Sequence, residues 1–249
     1  MRSAYLLSLV FPALLWLTAC QSQPEAPPST QQLTDLAAAI HADQVVQLTQ
    51  FRECYALGGE LSQQVSATRE IWQLHYDDLF AAADAQLKRQ QKDWISIDDQ
   101  WFSLQGLQHL KQIHQTTLQK LNMAQRGVNG QKNICQTAMA AIESHAPAEV
   151  DRESRVVKAL LSQSLPNNLQ MPDTEQQFVQ FATEQVPGRS YFTVTQALQA
   201  ACPSELVLET LVNQWPKEDY IAFCQGAGLL HIDCEWGECQ QRQPRATPE

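Results

Sequence analysis

The stretch Trp94-Ile95-Ser96-Ile97-Asp98 separates two long arms that carry no proline, one from Gln31 to Lys92 and one from Asp98 to His145. Ile71, Trp72, Leu79, Ala83 and Leu87 recur at helical spacing on the first arm, and Leu104, Leu107, Leu110, Leu118 and Leu121 on the second. That period marks amphipathic helices that must bury one stripe. Asp98 reads as the N-cap of the second arm, because its side chain can accept an unpaired N–H of the first turn. Each arm is broken once, at Gly58-Gly59 and at Gly127-Val128-Asn129-Gly130, where glycine suits a helix end better than a helix interior. Folding the chain about residue 94.5 sets Cys54 level with Cys135 and His75 level with His114, since both pairs share that midpoint. The arms therefore form either one kinked antiparallel hairpin or a four-helix bundle over residues 31–146. Short amphipathic helices need partners, which favours the bundle. Both topologies predict a Cys54–Cys135 disulfide.

Composition points the same way. Of 249 residues, 35 are Gln and 29 Leu, against 22 Val plus Ile and only 9 Gly. Straight-chain residues keep their rotamer freedom in a helix and β-branched ones do not, so this inventory reads as all-α. Acidic residues outnumber basic ones by 27 to 17, a net charge of −10. Nucleic acid is excluded as a partner, because binding phosphates needs a basic face.

After Pro147 the pattern shortens. A helix over 151–165 stops at Pro166-Asn167-Asn168, and Asp173 with Gln176 makes a capping box ahead of Phe178, Val179 and Phe181. Thr193 with Gln196 repeats that pattern. Pro203 and Pro216 sit at expected first helical positions, opening helices over 203–214 and 216–226. Residues 229–239 form a possible β-hairpin turning at Trp236-Gly237. The expectation is a small, disulfide-stapled helical unit over 147–240, then a disordered tail over 241–249.

The N-terminus carries an address. Arg2 precedes an apolar run from Ala4 to Leu17, followed by Leu17-Thr18-Ala19-Cys20. These residues resemble the signal peptide (1–19) and lipobox of a bacterial lipoprotein precursor. The resemblance implies cleavage before Cys20 and a diacylglycerol carried on its thiol, with palmitate among the acyl chains. It covers residues 1–20 only. Gln21 rather than Asp after the cysteine resembles lipoproteins sent to the outer membrane, facing the periplasm. Residues 20–30, rich in proline and poor in large apolar side chains, read as an acylated tether. Removing the signal takes away Arg2, so the mature chain has a charge of 16 − 27 = −11. The implied partners are the membrane, through the acyl chains, and another envelope protein.

Six cysteines remain in an exported chain, an even number that reads as disulfides. With Cys54 and Cys135 paired, Cys202–Cys224 and Cys234–Cys239 are the favoured remaining bonds. The rival is zinc on His231, Cys234, Cys239 and Cys224, at a loose spacing. His75, Asp78 and His114 are weak candidate metal or haem ligands, each histidine lying on an apolar stripe. Two histidines and one carboxylate are too few for a complete site, so no cofactor is expected.

Enzyme signatures are missing from the sequence: there is no GxSxG, Walker A, dinucleotide-binding glycine pattern or SxxK. Asp77-Asp78, Asp98-Asp99 and Glu218-Asp219 read as helix-start pairs. The expected function is non-enzymatic: an outer-membrane-anchored binding or scaffold protein for an envelope component. The alternatives are a peptidoglycan hydrolase and a metal- or haem-binding lipoprotein. The lipobox predicts that cells fed labelled palmitate incorporate it into the wild-type chain. The Cys20→Ala chain should carry no label and leave the membrane fraction.

Overall fold

A computed structural model describes residues 26–144, 150–163, 171–182, 185–202, 206–224 and 228–247. The signal peptide and Cys20, Pro166-Asn167-Asn168, Pro203 and Gly226-Ala227 lie outside the described residues.

Four helices form the first layer. Ser29 caps helix α1 (Thr30–Tyr55) in a full capping box with Gln32. The chain turns through Gly58 and Gly59, both at positive φ, into helix α2 (Gly59–Gln90). Gln86 donates to the Thr34 hydroxyl at 3.1 Å and Trp72 donates to Gln47, so α1 and α2 run antiparallel. Helix α3 (Leu104–Leu121) lies along α1, and helix α4 (Val128–Ser144) along α2. The break between α3 and α4 is made by Asn122 in the left-handed region, while Gly130 lies inside α4. The four elements make a bundle. Its core includes Ile40, Phe51, Trp72, Leu79, Leu110 and Met139, with Trp72 edge-on to Phe51 at 5.2 Å. The Cys54–Cys135 bond ties the end of α1 to the first half of α4, with a Cα–Cα separation of 5.4 Å.

Between α2 and α3 the chain is strand, not a bare loop. Strand β1 (Trp94–Ile97) pairs antiparallel with β2 (Gln100–Ser103) through the two-residue turn Asp98-Asp99. Both aspartates have positive φ, 48° and 62°, as a primed hairpin turn requires and as short Asx side chains tolerate. Asp98 is therefore not an N-cap. Ser103 fills that role for α3, accepting the Gly106 N–H at 3.2 Å.

The chain is mixed α/β rather than all-α. The expected helices over 203–214 and 216–226 are instead strands β3 (Leu206–Gln214) and β4 (Lys217–Cys224). With β5 (Gly228–Glu235) and β6 (Glu238–Arg242) they form an antiparallel sheet in the order β3-β4-β5-β6. Pro216 serves a turn instead of a helix start. Gln214 pairs with Lys217, leaving Trp215-Pro216 as a two-residue loop with a cis peptide bond. Proline fits a tight turn as well as a first helical turn, and the β-branched and aromatic content of Val207, Thr210, Val212, Tyr220, Ile221 and Phe223 decides between them. The hairpin expected within 229–239 is the β5–β6 pair, turning at Trp236-Gly237.

Alternation along β4 gives the sheet two buried faces. Tyr220, Ala222 and Cys224 pack with Ile232 and with Val194 and Leu198 of helix α7 (Tyr191–Ala201). Ile221, with Leu211, packs on Ile95, Ile97, Phe102, Leu104 and Leu107. The sheet is thus sandwiched between α7 and the β1–β2 hairpin.

The expected boundary at 146/147 does not separate two cores. Helices α5 (Arg155–Leu161) and α6 (Thr174–Phe181) send Val157, Leu160 and Phe178 into the bundle core. Nor is 241–249 disordered throughout. Gln241 and Arg242 belong to β6, and Arg245 exchanges two backbone hydrogen bonds of 2.8 Å with Trp94, covering the free edge of β1.

One buried carboxylate organises the start of α7. Glu218 on β4 accepts the Arg189 N–H at 2.8 Å, the Ser190 N–H at 2.9 Å and the Tyr220 hydroxyl at 2.7 Å. Burial pushes its pKa up, but these donors outweigh that and hold the carboxyl below its ordinary value, while burial and Glu218 push the Tyr220 phenol up. The expected Thr193 cap lies inside α7, and a strand residue supplies the acceptor instead.

Glu218→Gln should destabilise the fold by about 1.5–3 kcal/mol, the range for hydrogen bonds to a charged group. Gly188→Ala should cost at least as much, since a Cβ there would stand 2.6 Å from the Glu218 carboxyl carbon and the Tyr220 hydroxyl. Replacing Cys54 and Cys135 together by alanine opens a loop of 81 residues and should cost about 4–5 kcal/mol. Urea unfolding under non-reducing conditions measures all three.

Candidate functional site

Leu48, Phe51, Arg52 and Tyr55 occupy successive positions i, i+3, i+4 and i+7 on the last turns of α1, so they share one face. Val65, Ser66 and Arg69 from the start of α2 and Phe178 and Val179 from α6 face them across a cavity of about 500 Å³. Its floor is apolar and buried, while Tyr55 and Val179 stand exposed at its mouth. A second cavity of about 250 Å³ also counts Arg52 in its wall. There the lining is mixed: Lys111, His114 and Gln115 from α3, Gln185 and Tyr191 around α7, and Glu209 and Thr210 from β3 stand among Leu118, Ala182, Pro187 and Leu208, with Glu53 beside Arg52.

The charges here are mostly paired. Arg69 meets Glu175, which also accepts from Gln73 at 3.2 Å. Lys111, although buried, sits 2.7 Å from Glu209. Arg52 differs, for among the described residues no carboxylate lies within ion-pair distance of its guanidinium. Arg52 is half-buried between the two cavities, in the last turn of α1, where the helix C-terminus favours a cation.

His114 is part of this wall. Its Nδ1 lies 2.9 Å from the Thr49 hydroxyl, which donates its own proton to the Val45 carbonyl. Nδ1 must therefore carry the hydrogen, leaving Nε2 as the free acceptor. Burial, then the nearby charges of Arg52 and Lys111, lower its pKa to about 4. His41 is built alike. Its Nδ1 faces Thr174 at 3.1 Å, Thr174 donates to Asp84, and burial with His109 nearby lowers the pKa to about 4. Burial raises the Asp84 carboxyl despite its contact with Lys88 at 2.6 Å.

The candidate metal ligands are not brought together. His75 is exposed and bonded to the Ile71 carbonyl, Asp78 pairs with Arg152, and His114 faces Thr49. Among the described residues no three His, Cys, Asp or Glu side chains converge as a metal site. The zinc alternative also separates: Cys234 is bonded to Cys239, Cys202 to Cys224, and His231 hydrogen-bonds Asp219 at 2.8 Å. Glu218 and Asp219 lie on a strand, pointing to opposite faces, rather than at a helix start. A third cavity of about 420 Å³, between the β1–β2 hairpin and the sheet, holds His231, Asp233, Arg242 and Arg245. Its charges are engaged, by Asp219 on His231, by Asp233 on Arg242 and by Trp101 under Arg245.

Sequence reasoning missed Arg52 and Lys111 and read Glu218 only as one of a helix-start pair. The one available signal was the run Leu48, Phe51, Arg52 and Tyr55, a cation set inside an apolar stripe. Comparison with known proteins finds no matching family model, no similar curated protein and no matching solved structure.

The two histidines make stability depend on pH. Between the ordinary value of 6.5 and about 4, the unfolded chain binds protons that His41 and His114 refuse in the fold. The unfolded state then holds more protons, so stability falls as pH drops through that window. Each histidine should cost roughly 1–3 kcal/mol by pH 4, discounted for solvent screening. Urea midpoints at pH 7.5 and pH 5 should differ in the wild type and differ less in His114→Gln.

Proposed function

We propose that this chain is a lipid-anchored envelope protein that binds another component without converting it, using the paired cavities around Arg52. Cys20 carries the acyl anchor, residues 21–29 serve as the tether, and the body faces the periplasm from the outer membrane. Stable anchoring needs more than one acyl chain, as lipoprotein acylation supplies. No described helix is long and apolar enough to cross a membrane.

The observation that carries the reading is Arg52, a half-buried cation without an ion-paired carboxylate among the described residues, shared by an apolar cavity and one of mixed lining. The surrounding groups suit binding. Glu175 and Glu209 are held by Arg69 and Lys111, and His114 is held neutral by burial and its cationic neighbours. These pairs fix the walls of a preformed site and reduce what ligand binding must spend on ordering them.

The full acylated chain, extracted from envelopes in polymer-bounded native discs, should carry a stoichiometric co-isolated component. Arg52→Glu and Ser66→Trp should each lose it while keeping the wild-type circular dichroism. Repeated recovery of the wild type as a bare monomer would overturn the proposal, as would clearing of purified sacculi by the chain.

A further inference from the structure

Resting on the reading of the Arg52 cleft as a ligand site, we infer that its occupant is a single-chain amphiphile with one anionic head group. The chain lies in the larger cavity and the head lies against the Arg52 guanidinium.

The larger cavity sets the tail. Leu48, Phe51, Val65 and Phe178 give it a buried apolar floor, and Tyr55 and Val179 extend that surface to the solvent. At about 500 Å³ it falls within the roughly 300–1,000 Å³ usual for small-molecule pockets. Its walls are turns of α1, α2 and α6, whose backbone N–H and C=O groups are used inside the helices. It therefore offers no free strand edge to an extended peptide. A flexible hydrocarbon needs no such partners, and each apolar surface it removes from water is favourable.

The charges set the head. Arg69 borders the same cavity, but Glu175 neutralises it, so Arg52 is left as the net positive charge. A guanidinium binds carboxylate and phosphate oxygens through paired N–H donors. On its far side, Gln115, Gln185 and Thr210 add polar groups in the smaller cavity. Glu53 and Glu209 line that cavity too, the latter held by Lys111 at 2.7 Å. Their negative charge disfavours a head with several charges, so the site takes a singly charged one: a fatty carboxylate or a phosphodiester.

Photo-crosslinking tests this on the full acylated chain in isolated envelope membranes. Three diazirine probes of equal chain length are used: palmitate, a lysophosphatidylglycerol and neutral hexadecanol. Palmitate, lysophosphatidylglycerol or both should label peptides spanning 48–55, 65–69 and 178–179, and which of them labels identifies the head. Arg52→Ala should reduce anionic labelling about tenfold or more, Arg52→Lys should restore much of it, and hexadecanol labelling should be unchanged. Ser66→Trp places an indole in the mouth from an exposed position and should abolish labelling by all three probes. Labelling elsewhere, or labelling indifferent to Arg52→Ala and Ser66→Trp, overturns the inference. If no probe labels the cleft while those two positions still control the co-isolated component, the amphiphile is wrong and the binding reading stands.

Discussion

Phe102 is the contact on which the architecture turns. It is fully buried at the end of the β1–β2 hairpin and meets the edge of Phe181 from α6 at 4.9 Å between ring centroids. The same cluster holds Leu104 and Leu107 of α3 and Leu211 and Ile221 of the sheet. One apolar cluster around Phe102 therefore joins the hairpin, the helices α3 and α6, and the sheet. A sheet with two apolar faces must cover both, and α7 covers only one. The second face is closed by a hairpin that the chain makes more than a hundred residues earlier. Bundle and sheet accordingly share their packing instead of standing as independent units.

Polar groups at the seam are satisfied by the same long-range logic. Glu218 reaches from a strand to the start of α7, where two backbone N–H groups have no helical partner. Gly188 allows that approach because a Cβ would overlap the carboxylate. Lys111 of α3 meets Glu209 of β3 across the boundary, and Arg245 closes the open edge of β1. Each contact lets a buried or edge group keep a partner as the layers come together. Arg52 lies on the same boundary, yet among the described residues it has no such carboxylate.

Part of this was legible in the residues. The helical stripes, the glycine break after α1, the Asp173–Gln176 capping box and the turn at Trp236-Gly237 all depend on neighbours in sequence, and local chemistry specifies them. The matching midpoints of Cys54 and Cys135 carried one long-range contact, since an antiparallel chain path is itself a simple pattern. The strands over 206–224 were misread because Pro203 and Pro216 serve a helix start and a turn equally well. The Asp98-Asp99 turn was misread for a related reason, since aspartate suits both an N-cap and a left-handed turn.

By itself the sequence determined the helical arms with their apolar stripes, the Cys54–Cys135 pairing and an N-terminal resemblance to lipoprotein precursors, and it left a kinked hairpin and a four-helix bundle both open. The tertiary structure alone decided that the C-terminal segment is a sheet, that the hairpin covers it, and that Arg52 stands between two cavities. The physical reason is range. Helix periodicity and caps are set by residues within about two turns of one another. Strand pairing, buried carboxylates and cavities are set by what the distant chain brings alongside.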